Sequence, residues 1–478
     1  MPHIPDMQRT ASDRLMTRRA WFRAPRRTAA LIVSLAALGL SACDRERLLS
    51  VETPDQIRPE DAASPNGALA VRAGALRDFA QFFGGTTNVG VNIYVGLLSD
   101  ELINARPGAD HIDQRAFNET TFPAAAWNKF SDSYTQTVRA IRSLKQYSPE
   151  GADRNRNVGQ LHALQGITLN IGGELFCNGV PLASVNDEAP EAATLVTTTQ
   201  LYQRAIVQAD SALASLGTAA TDQPFRYLAR LAKARAQLNL AQFEAAATTV
   251  GAGGDGAGSV AVPTNWQYQV EFSQTTLVNT IFDWMVNTGN FGPSDQEGVN
   301  GLNFRTANDP RVVVSTTSRL GQDGSTLVFT VQGYANGAAP TTLVSGVTAR
   351  LIEAEAALQR GDTQTWLAKL NEPRANAAVR TLRNISAAAE VLPPLVDPGT
   401  QEARVSLHFR ERAFWQYLTA TRVGDLRRLQ RQYGRAANAV WPTGAYFKGG
   451  TYGSDVTLTP SFAERNNTAY TGCTDRNP

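Results

Sequence analysis

Apolar residues recur at three- and four-residue intervals along most of the chain, a period that predicts helices. Leu69, Ala73, Leu76, Phe79 and Phe83 mark one over 67–83; Trp127, Phe130, Tyr134, Val138, Ile141 and Leu144 mark a second over 123–147. Others are predicted over 158–176, 195–216, 225–240 and 243–250, the last two forming a hairpin with Ala229, Ala232 and Ala236 on its seam. At 346–374 one face carries Leu351, Ala354 and Leu358. Gly361 then supplies a stop, Asp362 or Thr363 a new cap, and Trp366, Leu367 and Leu370 the face of a second helix that Pro373 should end. Residues 408–433 read as one long helix. Such hairpins cannot bury their own apolar faces and must stack. A mainly α fold of tetratricopeptide-like helical hairpins is therefore predicted, although no segment carries the full repeat signature.

The helical period lapses in two places. Residues 84–118 read as an irregular stretch of Gly, Asn and Asp. Gly251–Ser259 (GAGGDGAGS) lacks the Lys-Ser/Thr ending of a phosphate-cradling loop and reads as a flexible connector. Beyond it, 262–314 sets Trp266, Tyr268, Phe272, Phe282, Trp284, Phe291 and Phe304 among Asn, Gln, Asp and Arg. Residues 312–331 alternate like a hairpin turning at 321–324. The organisation predicted is a leader (1–42), a tether (43–66) and a helical scaffold (67–250). A loop-rich aromatic insertion with minor β (251–345) follows, then more scaffold (346–433) and a C-terminal loop and tail (434–478).

The 478 residues carry a net charge of +2, unevenly placed. Residues 1–42 hold seven Arg against two Asp, so the remaining body is mildly acidic and gives no reason to expect nucleic acid. Arg14, Arg18, Arg19, Arg23, Arg26 and Arg27 form a positive stretch ahead of an apolar run, Thr28–Leu40, too short to span a bilayer comfortably. Leu40-Ser41-Ala42-Cys43 then resembles a bacterial lipobox, which makes Cys43 the expected lipidation site and a membrane anchor. Met1 or Met16 can start the leader. Cys177 and Cys473 remain; in an oxidising envelope compartment they can pair, the alternative being two separate thiols.

Candidate chemistry lies in the insertion. Sugar rings offer flat C–H faces to Trp and Tyr, while Asn, Asp and Arg serve their hydroxyls. Trp266, Tyr268, Trp284 and Arg305 are the candidate ligand-binding residues, with Asn92 and Tyr94 of the 84–118 stretch facing them; the alternative is that the aromatics form the insertion's own small core. Tyr446, Phe447 and Tyr452 are further candidates, better suited to pinning the tail. The sequence has no HExxH, no i, i+4 His pair and no G-x-S-x-G elbow, and Asp295 and Glu297 form no calcium-loop motif. No enzyme activity, metal or cofactor is expected.

The late helix resembles that of the SusD/RagB family of outer-membrane nutrient-binding lipoproteins, E-R-x-x-E-(x)3-E-G-x-R-x-x-D-L-R-R. Glu411, Arg412, Arg422, Asp425, Leu426, Arg427 and Arg428 fit it without a gap; Trp415, Thr419 and Ala420 depart at the two acidic positions and the glycine. Arg350, Leu351, Ala354, Glu355, Ala356, Gly361 and Asp362 fit a second family stretch. Asn371 and Arg374, Asp309-Pro310-Arg311, Ser99-Asp100-Glu101 and Trp127 match others. The residues themselves read as structural: Arg422 with Asp425 as a helical pair, Arg427 and Arg428 complementing a helix dipole, Glu355 satisfying a buried Arg. The resemblance implies a SusD-like scaffold of four hairpins with ligand-holding loops on one side. It also implies a surface-facing place in the outer membrane, capture of oligosaccharide or peptide without cleavage, and delivery to a SusC-like TonB-dependent transporter. The competing expectation is a helical-repeat scaffold lipoprotein for envelope protein assembly.

Overall fold

A computed structural model of the chain describes residues 63–108, 110–117, 124–182 and 193–478. The leader, Cys43 and the tether up to residue 62 lie outside the described residues.

Thirteen α-helices carry the fold among the described residues. The first is α1, Pro65–Gly84, capped by the Ser64 hydroxyl accepting from the Gly67 amide at 3.0 Å. Helix α2 (Val91–Leu98), the short α3 (Asp110–Asp113), α4 (Ala124–Tyr147) and α5 (Ala152–Leu175) follow. Next come α6 (Thr198–Ser215), opened by a Thr197/Gln200 capping box, α7 (Gln223–Asn239) and α8 (Phe243–Val250). Packing runs in chain order: α4 lies on α1 and α5, α5 on α6, α6 on α7, and α7 on α8. Helix α5 is the hub. Its second half is buried all round, and a Cβ at Gly172 would sit 2.4 Å from the Phe130 ring, so only glycine lets α4 come this close. Ala229, Ala232 and Ala236 are fully buried, as a close-packed seam requires.

The wall resumes with α9 (Gly346–Gln359) and α10 (Thr363–Ala375), turning at Gly361 (φ +76°) and capped by Asp362 accepting from the Thr365 amide at 3.0 Å. Pro373 does not end α10, which continues to Ala375. In the last turn Pro removes only the donor to the Lys369 carbonyl, and the Glu372 carbonyl still receives the Asn376 amide at 3.1 Å. After α11 (Ala377–Leu382), the single helix expected over 408–433 is two: α12, Gln401–Trp415, and α13, Arg422–Arg431. Leu418 and Ala420 adopt φ of +59° and +57° and turn the chain between them. Helix α12 packs on α9 and α13 on α5, so the last two helices lie back across the wall.

The irregular regions hold short antiparallel strand pairs: β1 (Leu102–Asn104) with β5 (Phe291–Pro293), β2 (Val180–Leu182) with β3 (Thr194–Val196), β4 (Gln267–Val270) with β8 (Thr341–Ser345), and β6 (Val314–Leu320) with β7 (Leu327–Val331). The β6–β7 hairpin is the one the alternation predicted. Pairing of β4 with β8 closes the insertion at its base, and the Gly346 amide donates to the Trp266 carbonyl at 2.7 Å where β8 enters α9. The Gly251–Ser259 run is anchored rather than free: Asp255 pairs with Arg226 at 2.7 Å and lies 3.6 Å from Arg230. Cys177 and Cys473 form a disulfide that ties the tail to the end of α5. Among the described residues no helix is long and apolar enough to cross a membrane.

Candidate functional site

The residues that carried the family resemblance converge on one buried ionic network behind the insertion. Arg422 grips Asp100 in a two-point contact (2.6 and 2.9 Å) rather than pairing with Asp425, because it opens α13 facing the Ser99-Asp100-Glu101 corner. Asp425 instead binds Arg412 (2.8 and 2.9 Å) and Arg428 (2.9 Å). Glu355 accepts from Arg428 and from the Tyr433 hydroxyl at 2.8 Å, so it does satisfy a buried Arg. Arg311 bridges Asp309 and Glu411, and Arg374 joins Glu411 at 2.9–3.0 Å. Arg427 donates to the Gly173 and Glu174 carbonyls and so caps the last turn of α5.

Burial alone would raise the Glu355 carboxyl; Arg428, His408 and Arg412 outweigh it and hold it well below the usual range. Burial keeps the His408 imidazole low, hence neutral. Glu101 is different. Burial pushes its carboxyl up to about 8 despite Arg422, so it is a neutral acid at pH 7. Through Asp309 and Arg311 this network fastens the middle of the insertion to the wall, and Asp100, Glu101, Glu355, His408, Glu411 and Asp425 in it are buried.

The residues expected to hold a ligand are not brought together. Asn92 and Tyr94, expected to face the insertion from a loop, lie in α2 and are 0% and 6% exposed. That helix, VNIYVGLL, is buried on every side and so shows no polar face to betray it. Trp266 packs edge-on against Tyr227 of α7 at 5.6 Å, and the Tyr268 hydroxyl accepts from Gln160 of α5 at 2.8 Å. Both therefore seat β4 on the wall. Trp284 stacks on Phe291 at 6.1 Å, with the Arg106 guanidinium 4.8 Å from its ring centre. Arg305 lies over the Phe329 ring at 4.3 Å and lines an open cleft.

That cleft, of about 580 Å³, is the better candidate site. One wall is Ile103 of β1 and Asp110 of α3, another the β6–β7 turn (Asp323, Ser325, Thr326), and the third the C-terminal loop at Phe447 and Lys448. The Lys448 ammonium holds Asp110 at 2.8 Å and Asp323 at 2.7 Å. Asp323 also accepts from the Ser325 and Thr326 amides, both at 2.9 Å, which fixes the turn. Burial opposes its ionisation, but Lys448 and the Thr326 donors keep its carboxyl low and ionised. Glu297 closes the floor, accepting from the Tyr452 hydroxyl at 2.7 Å, and burial raises its carboxyl.

Phe447 is 43% exposed, whereas Tyr446 and Tyr452 beside it are buried against Asp113 and Glu297. The loop thus pins itself with two rings and presents the third. An exposed ring, two cations, carboxylates and two hydroxyls around one hollow suit a polyhydroxylated ligand. Sequence reasoning named Arg305 and Phe447 but missed Lys448, Asp110 and Asp323. The signal available was the Phe-Lys-Gly-Gly turn, which marks a loop tip. A second, smaller cleft of about 230 Å³ opens on the other face of β4. By strand alternation Gln267 and Gln269 line it while Trp266 and Tyr268 point to the wall.

No protein-family model matches the chain, and no curated protein matches its sequence. Solved structures do match in fold. A SusD superfamily protein from Bacteroides fragilis superposes with a TM-score of 0.62 at 14% identity, over 85% of this chain and 99% of that one. A laminarin binding SusD-like protein gives 0.61 at 14%, over 86% and 99%. A SusD superfamily protein from Bacteroides thetaiotaomicron VPI-5482 gives 0.59 at 14%, over 86% and 100%. The chain has the SusD-like fold.

Proposed function

We propose that this SusD-like chain is a lipid-anchored outer-membrane protein of the SusD/RagB family that captures glycans in the 580 Å³ cleft and delivers them, uncleaved, to a SusC-like TonB-dependent transporter. The observation that carries the reading is the cleft itself: Phe447 stands exposed beside Lys448, Asp110, Asp323 and Arg305 on a rigid frame. A fold shared with a laminarin binding protein supports it. The lipobox at Cys43 supports the anchor, and the surface-facing orientation is part of the same proposal. Calorimetric titration of the detergent-solubilised mature chain with a panel of neutral oligosaccharides, β-glucans among them, tests the first half. Phe447→Ala should weaken the best ligand about tenfold, the worth of one ring-face contact near 1.4 kcal/mol. Unchanged affinity would remove this cleft as the site. Pull-down from outer membranes tests the second half: recovery of a TonB-dependent barrel supports delivery, and recovery of the barrel-assembly machinery in its place favours the scaffold reading.

A further inference from the structure

The 230 Å³ cleft differs in charge from the larger one. Among the described residues no carboxylate lines it. Its polar wall includes the amides Gln267, Gln269, Gln332 and Asn384, the hydroxyls of Tyr334 and Tyr417, and the guanidinium groups of Arg311 and Arg383. The neighbouring arginines are all engaged: Arg311 with Asp309 and Glu411, Arg374 with Glu411, and Arg380 with the carbonyls of Ser386 and Ala388. Arg383, just past the end of α11, has neither an ion pair nor a side-chain hydrogen bond among the described residues. Burial disfavours its charged form, and the one charge-sensitive neighbour is the Tyr334 hydroxyl. A half-buried cation without a partner, opening on a cleft, gains more from an incoming anion than a fully solvated arginine does.

We propose that this cleft is a second ligand site, selective for an acidic saccharide, with Arg383 binding a uronate carboxylate and the surrounding amides serving the ring hydroxyls. A planar guanidinium takes a carboxylate through two parallel hydrogen bonds, and carboxamides both donate and accept, as vicinal hydroxyls require. The four amides favour a sugar over the C-terminus of a peptide, which has no hydroxyls to occupy them. The inference does not depend on the larger cleft being the neutral-glycan site.

The test is a matched pair of probes on the detergent-solubilised chain: oligogalacturonate and the same oligomer fully methyl-esterified, which keeps the hydroxyls and removes the charge. Affinity for the acid form should exceed that for the ester at least about tenfold and should fall as salt rises. Arg383→Gln should erase that preference, Arg383→Lys should restore part of it, and Phe447→Ala should leave it intact. Equal binding of acid and ester, or a preference that survives Arg383→Gln, overturns the proposal. So does a preference lost in Phe447→Ala, which would move the acid to the other cleft. Because Gln332 is exposed, Gln332→Ala provides a variant that leaves the fold alone; it should weaken the acid form severalfold, and no change counts against the site. A short peptide bound through its free carboxylate, with oligogalacturonate unbound, overturns the sugar assignment.

Discussion

Glu101→Gln should flatten the alkaline limb of the protein's stability. The Glu101 side chain is fully buried; one of its oxygens accepts the Leu418 amide at 3.2 Å, and the other has no hydrogen-bond partner among the described residues. Arg422, its nearest cation, is already committed to Asp100. Burial therefore raises the carboxyl from 4.5 to about 8. A raised folded pKa means the native state holds a proton that the unfolded chain releases. That contribution is complete below the unfolded value near 4.5 and is lost as pH rises towards 8. Between pH 5 and pH 8 the loss is close to three pH units at about 1.4 kcal/mol each, or about 4 kcal/mol.

Glutamine keeps the shape and the acceptor but has no proton to lose. Any cost of its amide is the same at every pH, so the slope isolates the titration. With an unfolding entropy of about 2.1 cal/mol/K per residue over roughly four hundred residues, about 4 kcal/mol corresponds to about 5 °C. Calorimetric Tm measured at pH 5, 6, 7 and 8 should show the variant gaining on the parent by about that amount across the series. Two curves that stay parallel within 1 °C would refute a neutral, buried Glu101.

Four further outcomes follow from the same geometry. Glu355→Gln leaves Arg412 and Arg428 facing Asp425 alone and should cost about 3–5 kcal/mol in urea unfolding; adding Arg428→Met should recover part of that loss, and strict additivity would argue against the network. On the acid side, the low folded pKa values of Glu355 and His408 place their stabilising effect above the unfolded values, 4.5 and 6.5; in the Glu101→Gln background, where the opposing Glu101 slope is removed, Tm should therefore fall as pH drops below about 6.5 and more steeply below 4.5. Ala420→Gly relieves a left-handed residue, worth about 1–2 kcal/mol, against a lost methyl of about 0.8 kcal/mol, and should raise Tm slightly, while Ala420→Val should lower it sharply. Cys473→Ser opens a loop spanning 296 residues and should cost about 2–5 kcal/mol, read as a lower urea midpoint with Trp fluorescence as the probe.

The wall was legible because its helices are amphipathic: a buried stripe and a wet face leave a period in the sequence. Where both faces are buried the period vanishes, which is why α2, and with it the place of Asn92 and Tyr94, could not be read. The break between α12 and α13 left no mark either. Apolar spacing runs on from Phe414 to Leu429, and the left-handed turn is made by Leu418 and Ala420, not by glycine. Ion partners were hidden by distance along the chain: Arg422 meets a carboxylate 322 residues away, whereas Asp425, three positions on, looked closer. In the insertion, composition pointed to rings, but only strand alternation tells which side each faces. Gln267 and Gln269 took the open side, and Trp266 and Tyr268, alternating with them, became mortar for the wall.

The β4–β8 pairing has a consequence for how such a protein can change. Because the two ends of the insertion are stitched together at its base, the helical wall sees a fixed gap whatever lies between them. Lengthening the exposed β6–β7 turn, while Asp309, Arg311 and β5 keep their partners, adds only a slowly growing closure entropy, about 0.6 kcal/mol per doubling, and leaves the helices in place. The frame can thus stay constant while the turn it holds is exchanged, so a new exposed surface demands new loops and no new architecture.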